Sequence, residues 1–370
     1  MRVLQFAKRS VVTVSLVSLV LAGCSGESTP DAPFNPVGTS ADLDAMNSTF
    51  ASPAFASFST FSFMFDAAMG GSPIISTSVA ALNVRGKDAP AIRAAAARSA
   101  ARLAATLNRE LSASSLRSGA AFAAVPAEVA GKTFIYDPGT ISYVASELTG
   151  APANGVRFIL YAVDPVTYDP VEPLTATGHV DLIDLSEGTT QAARVRVVSG
   201  STTYVDYTAS ATTGTSSSRL TVIGMVTDGV HQANINLRST FTFTTGLTLT
   251  YSVDLPQRDV SIDLTVGSSD VSQENSPITV TLSMRGPNGT IGMSGQFTDT
   301  SGSLNITING SAFAHVTTSG TSVTFTRHDG TALSEEELQV LHRVFIMQEQ
   351  AFWTFDQMLA PVGTFFDQPA

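Results

Sequence analysis

The sequence predicts a mainly β protein with flanking helices (α+β), in which a long antiparallel meander curls over amphipathic helices. Three observations predict it. Residues 132–327 are rich in Thr, Ser, Val, Ile and Gly and repeatedly alternate apolar with polar side chains. That is the period of a strand with one dry and one wet face. Turn dipeptides punctuate the same stretch at hairpin spacing. Runs of helical period flank it on both sides. A two-sheet sandwich with terminal helices is the alternative architecture.

Composition bounds the class. The chain has 370 residues, 43% of them hydrophobic and 14% charged, which is enough to bury a core and excludes wholesale disorder. Twenty Lys+Arg stand against 31 Asp+Glu, a formal net charge of −11, which argues against nucleic acid as a partner. The single cysteine, Cys24, excludes an intrachain disulfide framework and a cysteine-rich zinc site.

Residues 1–23 read as an export leader. Arg2, Lys8 and Arg9 precede the run Val11–Ala22, which is apolar but for Thr13, Ser15 and Ser18. The run is shorter than the ~20 apolar residues a membrane-spanning helix takes, and small residues follow it. Leu21-Ala22-Gly23-Cys24 resembles the lipobox of bacterial lipoproteins. The resemblance covers the signal segment alone. It implies cleavage between Gly23 and Cys24, with Cys24 acylated as the first mature residue and anchored in the bilayer. Two or three acyl chains hold firmly, since each buried CH₂ contributes about 0.8 kcal/mol. Ser25, where an Asp would imply retention at the inner membrane, implies the outer membrane. The mature chain would keep 17 Lys+Arg beside 31 Asp+Glu, a net charge of −14, so lipid rather than a basic patch would hold it to the surface.

Residues 24–45 read as the lipidated cysteine and a flexible tether, with Ser, Gly and prolines at 30, 33 and 36. Residues 46–130 read as helical. Ser52-Pro53 supplies a cap and first turn. Phe55, Phe58, Phe61, Phe65 and Met69 then share one face, which core packing accounts for best, and Gly70-Gly71 and Pro73 end the run. Asp88-Ala89-Pro90 opens an alanine-rich helix to about Ser112. Its Arg98, Arg102 and Arg109 form a solvated face.

Residues 131–330 carry about a dozen strands. Leu247–Val253, Val260–Val266, Ile278–Met284 and Leu304–Ile308 show the alternation most clearly. Asp228-Gly229, Asn288-Gly289, Ser301-Gly302, Asn309-Gly310 and Ser319-Gly320 mark tight turns. The connections are too short for crossover helices, so every pairing is expected to be antiparallel. No sequence period points to a propeller or solenoid. In residues 331–370, Ser334-Glu335-Glu336-Glu337 forms a capping box. Leu338, Leu341, Phe345, Phe352, Phe355 and Leu359 follow on one face, expected to lie on the dry side of the sheet. Residues 46–370 are read as one domain.

The chemistry-bearing motifs are few. Gly131-Lys132-Thr133 ends like a phosphate-binding loop, but Pro126 replaces the required glycine and Phe134-Ile135-Tyr136 reads as strand. Gly292-Met293-Ser294-Gly295 resembles a nucleophile elbow, but Gln296 replaces its last glycine. His179 and Asp181 share a strand face and could share a metal or a proton, yet one pair falls short of a zinc ligand set. His231, His315, His328 and His342 join no motif. No catalytic residue, metal or cofactor is assigned. The expectation is a non-enzymatic, lipid-anchored cell-envelope protein that binds or scaffolds a protein or an apolar ligand. The architecture resembles that of the lipoprotein-localisation carriers, without a shared motif. An exported hydrolase and an adhesin-like surface protein are the alternatives.

Overall fold

The computed structural model describes residues 35–50, 57–58, 124–164, 170–214, 216–242, 246–268, 277–298, 301–319, 322–341, 343–344, 358 and 361. Helix α1 (Pro36–Phe50) opens the described chain. The strands follow in order. They are β1 (Thr133–Asp137), β2 (Ser142–Ser146), β3 (Gly155–Tyr161), β4 (Ala176–Asp184) and β5 (Thr190–Ser199). Then come β6 (Thr202–Thr213), β7 (Ser217–Thr227), β8 (Gln232–Thr242), β9 (Gly246–Leu255) and β10 (Val260–Ser268). The last are β11 (Ile278–Gly286), β12 (Gly289–Phe297), β13 (Ser301–Ile308), β14 (Ser311–Ser319) and β15 (Ser322–Arg327). They form one 15-stranded sheet in the order β15 back to β3, then β1, then β2. The protein is therefore mainly β, and hairpin succession governs the sheet from β3 onward.

One expectation fails at the start of that sheet. β1 pairs in parallel with β3, Thr133 beside Arg157 and Phe134 beside Phe158, while β2 pairs antiparallel with β1 on its far side. Excluding parallel pairing assumed that a short connection always makes a hairpin. Here residues 147–154 carry the chain back across β1 without a helix. Aromatic packing accounts for the arrangement. Phe134 stacks on Phe158 at 5.0 Å, and the Tyr143 ring meets Phe158 edge-on at 5.3 Å. The Tyr143 hydroxyl donates to the Ile159 carbonyl at 3.0 Å, so β2 reaches over β1 to β3. Burial in this cluster pushes the Tyr143 phenol well above its ordinary range.

The chain divides into two compact units, one holding β1–β7 and the other β9–β15. In the β9–β15 unit, Val260, Ile262, Leu264 and Val266 are buried on β10. Val280, Leu282 and Met284 are buried on β11, and Leu304, Ile306 and Ile308 on β13. The period-two reading placed all of them on the dry face. Asn309 (φ 52°) and Gly310 (φ 85°) both lie in the left-handed region, as a type I′ hairpin requires. Ser301-Gly302 is not a turn. It starts β13, with Gly302 opposite Phe297, and a Cβ on Gly302 would fall 1.9 Å from the Phe297 ring. The glycine serves the ring across from it rather than the chain reversal.

Helix α1 also departs from expectation, because it begins at Pro36 inside the stretch read as tether. Asn35 caps it: its Oδ1 accepts from the Gly38 amide at 3.0 Å, and Pro36 occupies the first helical position, where no N–H is needed. The Asn35 side chain also donates to Asn288 Oδ1 at 3.2 Å, and Asn288 Nδ2 donates to Asp42 Oδ2 at 2.9 Å. Leu43 and Met46 are buried. Composition announced a tether; the cap and this side-chain bridge to the β11–β12 turn make a helix. Asn35→Ala is expected to cost about 1 kcal/mol, read as a shifted urea midpoint.

The capping box forms. The Ser334 amide donates to Glu337 Oε2 at 2.7 Å, and the Glu337 amide donates to Ser334 Oγ at 3.3 Å. Arg327 at the end of β15 pairs with the other Glu337 oxygen. Residues 335–341 and 343–344 are helical, with Val340, Leu341 and Val344 buried and Leu338 half-buried.

In the β1–β7 unit, Phe58 is fully buried and meets the Tyr207 ring edge-on at 6.3 Å. The buried Tyr207 hydroxyl donates to the Met358 carbonyl. Phe55, Phe61, Phe65, Met69, the helix expected over 88–112, and Phe345, Phe352, Phe355 and Leu359 lie outside the described residues.

Candidate functional site

The described residues most able to do chemistry lie on the wet face of β3–β6. The register puts Arg157, Asp181, Arg196 and Asp206 side by side across four strands. Each alternates with apolar neighbours on the opposite face: Val156 and Phe158 beside Arg157, Val195 and Val197 beside Arg196, Val205 and Tyr207 beside Asp206. That alternation puts the charged side chains on the face opposite the buried valines.

The row is an alternating ladder of charge. Arg157 grips Asp181 with both prongs, Nε to Oδ1 at 2.7 Å and an outer nitrogen to Oδ2 at 2.9 Å. Arg194, displaced by two residues along β5, grips Asp206 in the same way, with both contacts at 2.7 Å. Bidentate Arg–carboxylate pairs are the stronger kind. The Asp181 side chain is only 5% exposed and Arg157 22%, so this pair is largely withdrawn from water. The Arg194 and Asp206 side chains are 43% and 22% exposed, so solvent screens that pair more.

His179 and Asp181, paired in the sequence reading, do share this face. His179 Nε2 lies 3.6 Å from Asp181 Oδ2, outside hydrogen-bond length. Burial holds the imidazolium below its ordinary pKa, against the pull of Asp181, and Arg157 and Arg196 add to the depression. The carboxylate that would orient this histidine as a base already gives both oxygens to Arg157. Among the described residues no group of three or more His, Cys, Asp or Glu is placed to hold a metal.

Arg196 differs from its neighbours in the ladder. Its Nε is buried and has no hydrogen-bond partner, and its nearest carboxylate contact is Asp206 Oδ2 at 3.8 Å. Its side chain is 37% exposed.

The remaining sequence candidates disperse. Gly23, Cys24, Arg98, Arg102, Arg109 and His342 lie outside the described residues. Thr133 begins β1, so a strand follows Gly131-Lys132 where a phosphate loop needs a helix. Ser294 sits mid-strand in β12, without an elbow. His231 contacts Asp228 at 3.2 Å within the β7–β8 turn. His315 contacts Asn305 at 2.8 Å. His328 donates its amide to the Phe313 carbonyl at the close of β15.

Arg157, Arg194, Arg196 and Asp206 escaped the sequence reading. A signal was present in Arg194-Val195-Arg196-Val197, where charge replaces the usual Ser or Thr on a wet face. Which acids face those arginines depends on register.

Among the described residues no helix is long and apolar enough to cross a membrane. Compared with protein-family models, curated proteins and solved structures, the chain matches none.

Proposed function

We propose that this is a lipid-anchored cell-envelope protein that binds or scaffolds rather than catalyses. The observation that carries the reading is the lone cysteine in Leu21-Ala22-Gly23-Cys24, at the end of a charged-then-apolar leader. On this reading Cys24 is acylated after cleavage beside Gly23, and the outer membrane receives the anchor.

Binding rather than catalysis is supported at the β3–β6 face. Its acids are engaged by arginine, and its histidine has no hydrogen-bonded orienting partner there. A triad needs a base held by a third group.

A packed core, rather than carriage of an apolar ligand, is supported by Phe58. It fills space against Tyr207 that a carried acyl chain would need. In the same reading, amphipathic helices pack on the dry side of a curled sheet.

The anchor is tested by growing the protein in a bacterial host with labelled palmitate and measuring the mature N-terminus by mass spectrometry. Wild type is expected to begin at an acylated Cys24 and to take up label, and Cys24→Ala to take up none. An unacylated mature chain, or one that keeps residues 1–23, overturns the reading.

A further inference from the structure

The β3–β6 ladder has a surplus cation. Three guanidinium groups, Arg157, Arg194 and Arg196, face two carboxylates, Asp181 and Asp206. Both carboxylates are held bidentately, by Arg157 and by Arg194. Arg196 is left with a contact of 3.8 Å to an oxygen that Arg194 already uses. That distance is too long for a hydrogen bond. The atom at that distance is Nε, which is buried and without a hydrogen-bond partner, a donor whose cost an added acceptor would relieve. The Arg196 side chain is 37% exposed, so part of it reaches solvent.

We propose that Arg196 is an anion-binding site that takes a phosphoryl group, with His179 beside it as a second donor. A guanidinium fork offers two parallel N–H donors to two oxygens of one phosphoryl group, a match a point charge lacks. The pinned neighbours serve the site. Arg157 and Arg194 neutralise Asp181 and Asp206, which would otherwise repel an anion. The site stands whether or not Cys24 carries lipid, and its test is independent of the anchor.

The test follows the arginine Nε–H signals of the full-length protein in a nonionic detergent by NMR. The probes are inorganic phosphate and, separately, soluble dihexanoylphosphatidylglycerol. Wild type is expected to show a saturable shift of the Arg196 signal. Arg196→Gln, with the remaining arginine signals as reporters, is expected to bind at least about tenfold more weakly. Arg196→Lys should fall between, keeping the charge and losing the fork. Arg219→Gln, exposed on β7 and outside the ladder, should bind like wild type. Equal response to both probes would assign the site to phosphate as a solute. Preference for the lipid would assign it to a headgroup. No saturable shift in wild type, or unchanged binding in Arg196→Gln with an unaltered melting temperature, overturns the proposal. If Arg196→Gln fails to fold, wild-type binding as tight in Arg196→Lys overturns it instead.

Discussion

Tyr207→Ala is expected to destabilise the β1–β7 unit by about 3–5 kcal/mol, read as a lower urea midpoint in equilibrium unfolding. Tyr207 is only 1% exposed, touches Phe58 edge-on and donates its hydroxyl to the Met358 carbonyl. Truncation to alanine removes the ring and leaves a cavity beneath Phe58. Tyr207→Phe separates the two contributions. It keeps the ring and leaves the Met358 carbonyl unsatisfied, at a cost of about 1–3 kcal/mol.

The same tyrosine predicts a pH dependence. Burial raises the Tyr207 phenol well above its ordinary value of 10.0, and burial raises Tyr251 as well. A folded-state pKa above the unfolded one means that the native state holds its proton longer. The stability from keeping these phenols neutral is therefore whole below about pH 10 and declines as pH rises beyond it. Tyr207→Phe should flatten the alkaline limb of the unfolding curve. A limb of unchanged slope would contradict the burial of that hydroxyl.

Arg157→Met is the second large effect. It strands the Asp181 carboxylate, 5% exposed, without the fork that holds both its oxygens. Breaking a buried pair from one side costs about 3–5 kcal/mol. The double variant Arg157→Met/Asp181→Leu should recover most of that loss, because no isolated charge remains and the site gains apolar volume. Denaturant unfolding of the two single variants and the double variant measures the coupling. Additive losses would show that the pair does not act as a unit.

Periodicity alone placed the dry faces of β9, β10, β11 and β13. Side-chain alternation is a local property of an extended chain, and each of these runs carries it undiluted. The helix start at Ser334 was equally readable, since a capping box closes within four residues. Three other features were not local. Asn35-Pro36 became a helix start because Asn288, from the far side of the chain, bridges the cap to Asp42. β1 came to lie between β2 and β3 because Tyr143 spans it to reach Ile159 and Phe158. The charge ladder required Asp181 to fall opposite both Arg157 and Arg196, and Asp206 opposite Arg196. Register is set by turn lengths and by irregularities such as the shift between Val197 and Val198. A slip of one residue would turn every charged side chain toward the core. The sequence by itself determined which residues β9, β10, β11 and β13 bury, because alternation is written along those runs. Only the tertiary structure decided which arginine meets which aspartate and which is left over, because that depends on pairing between strands brought together by folding.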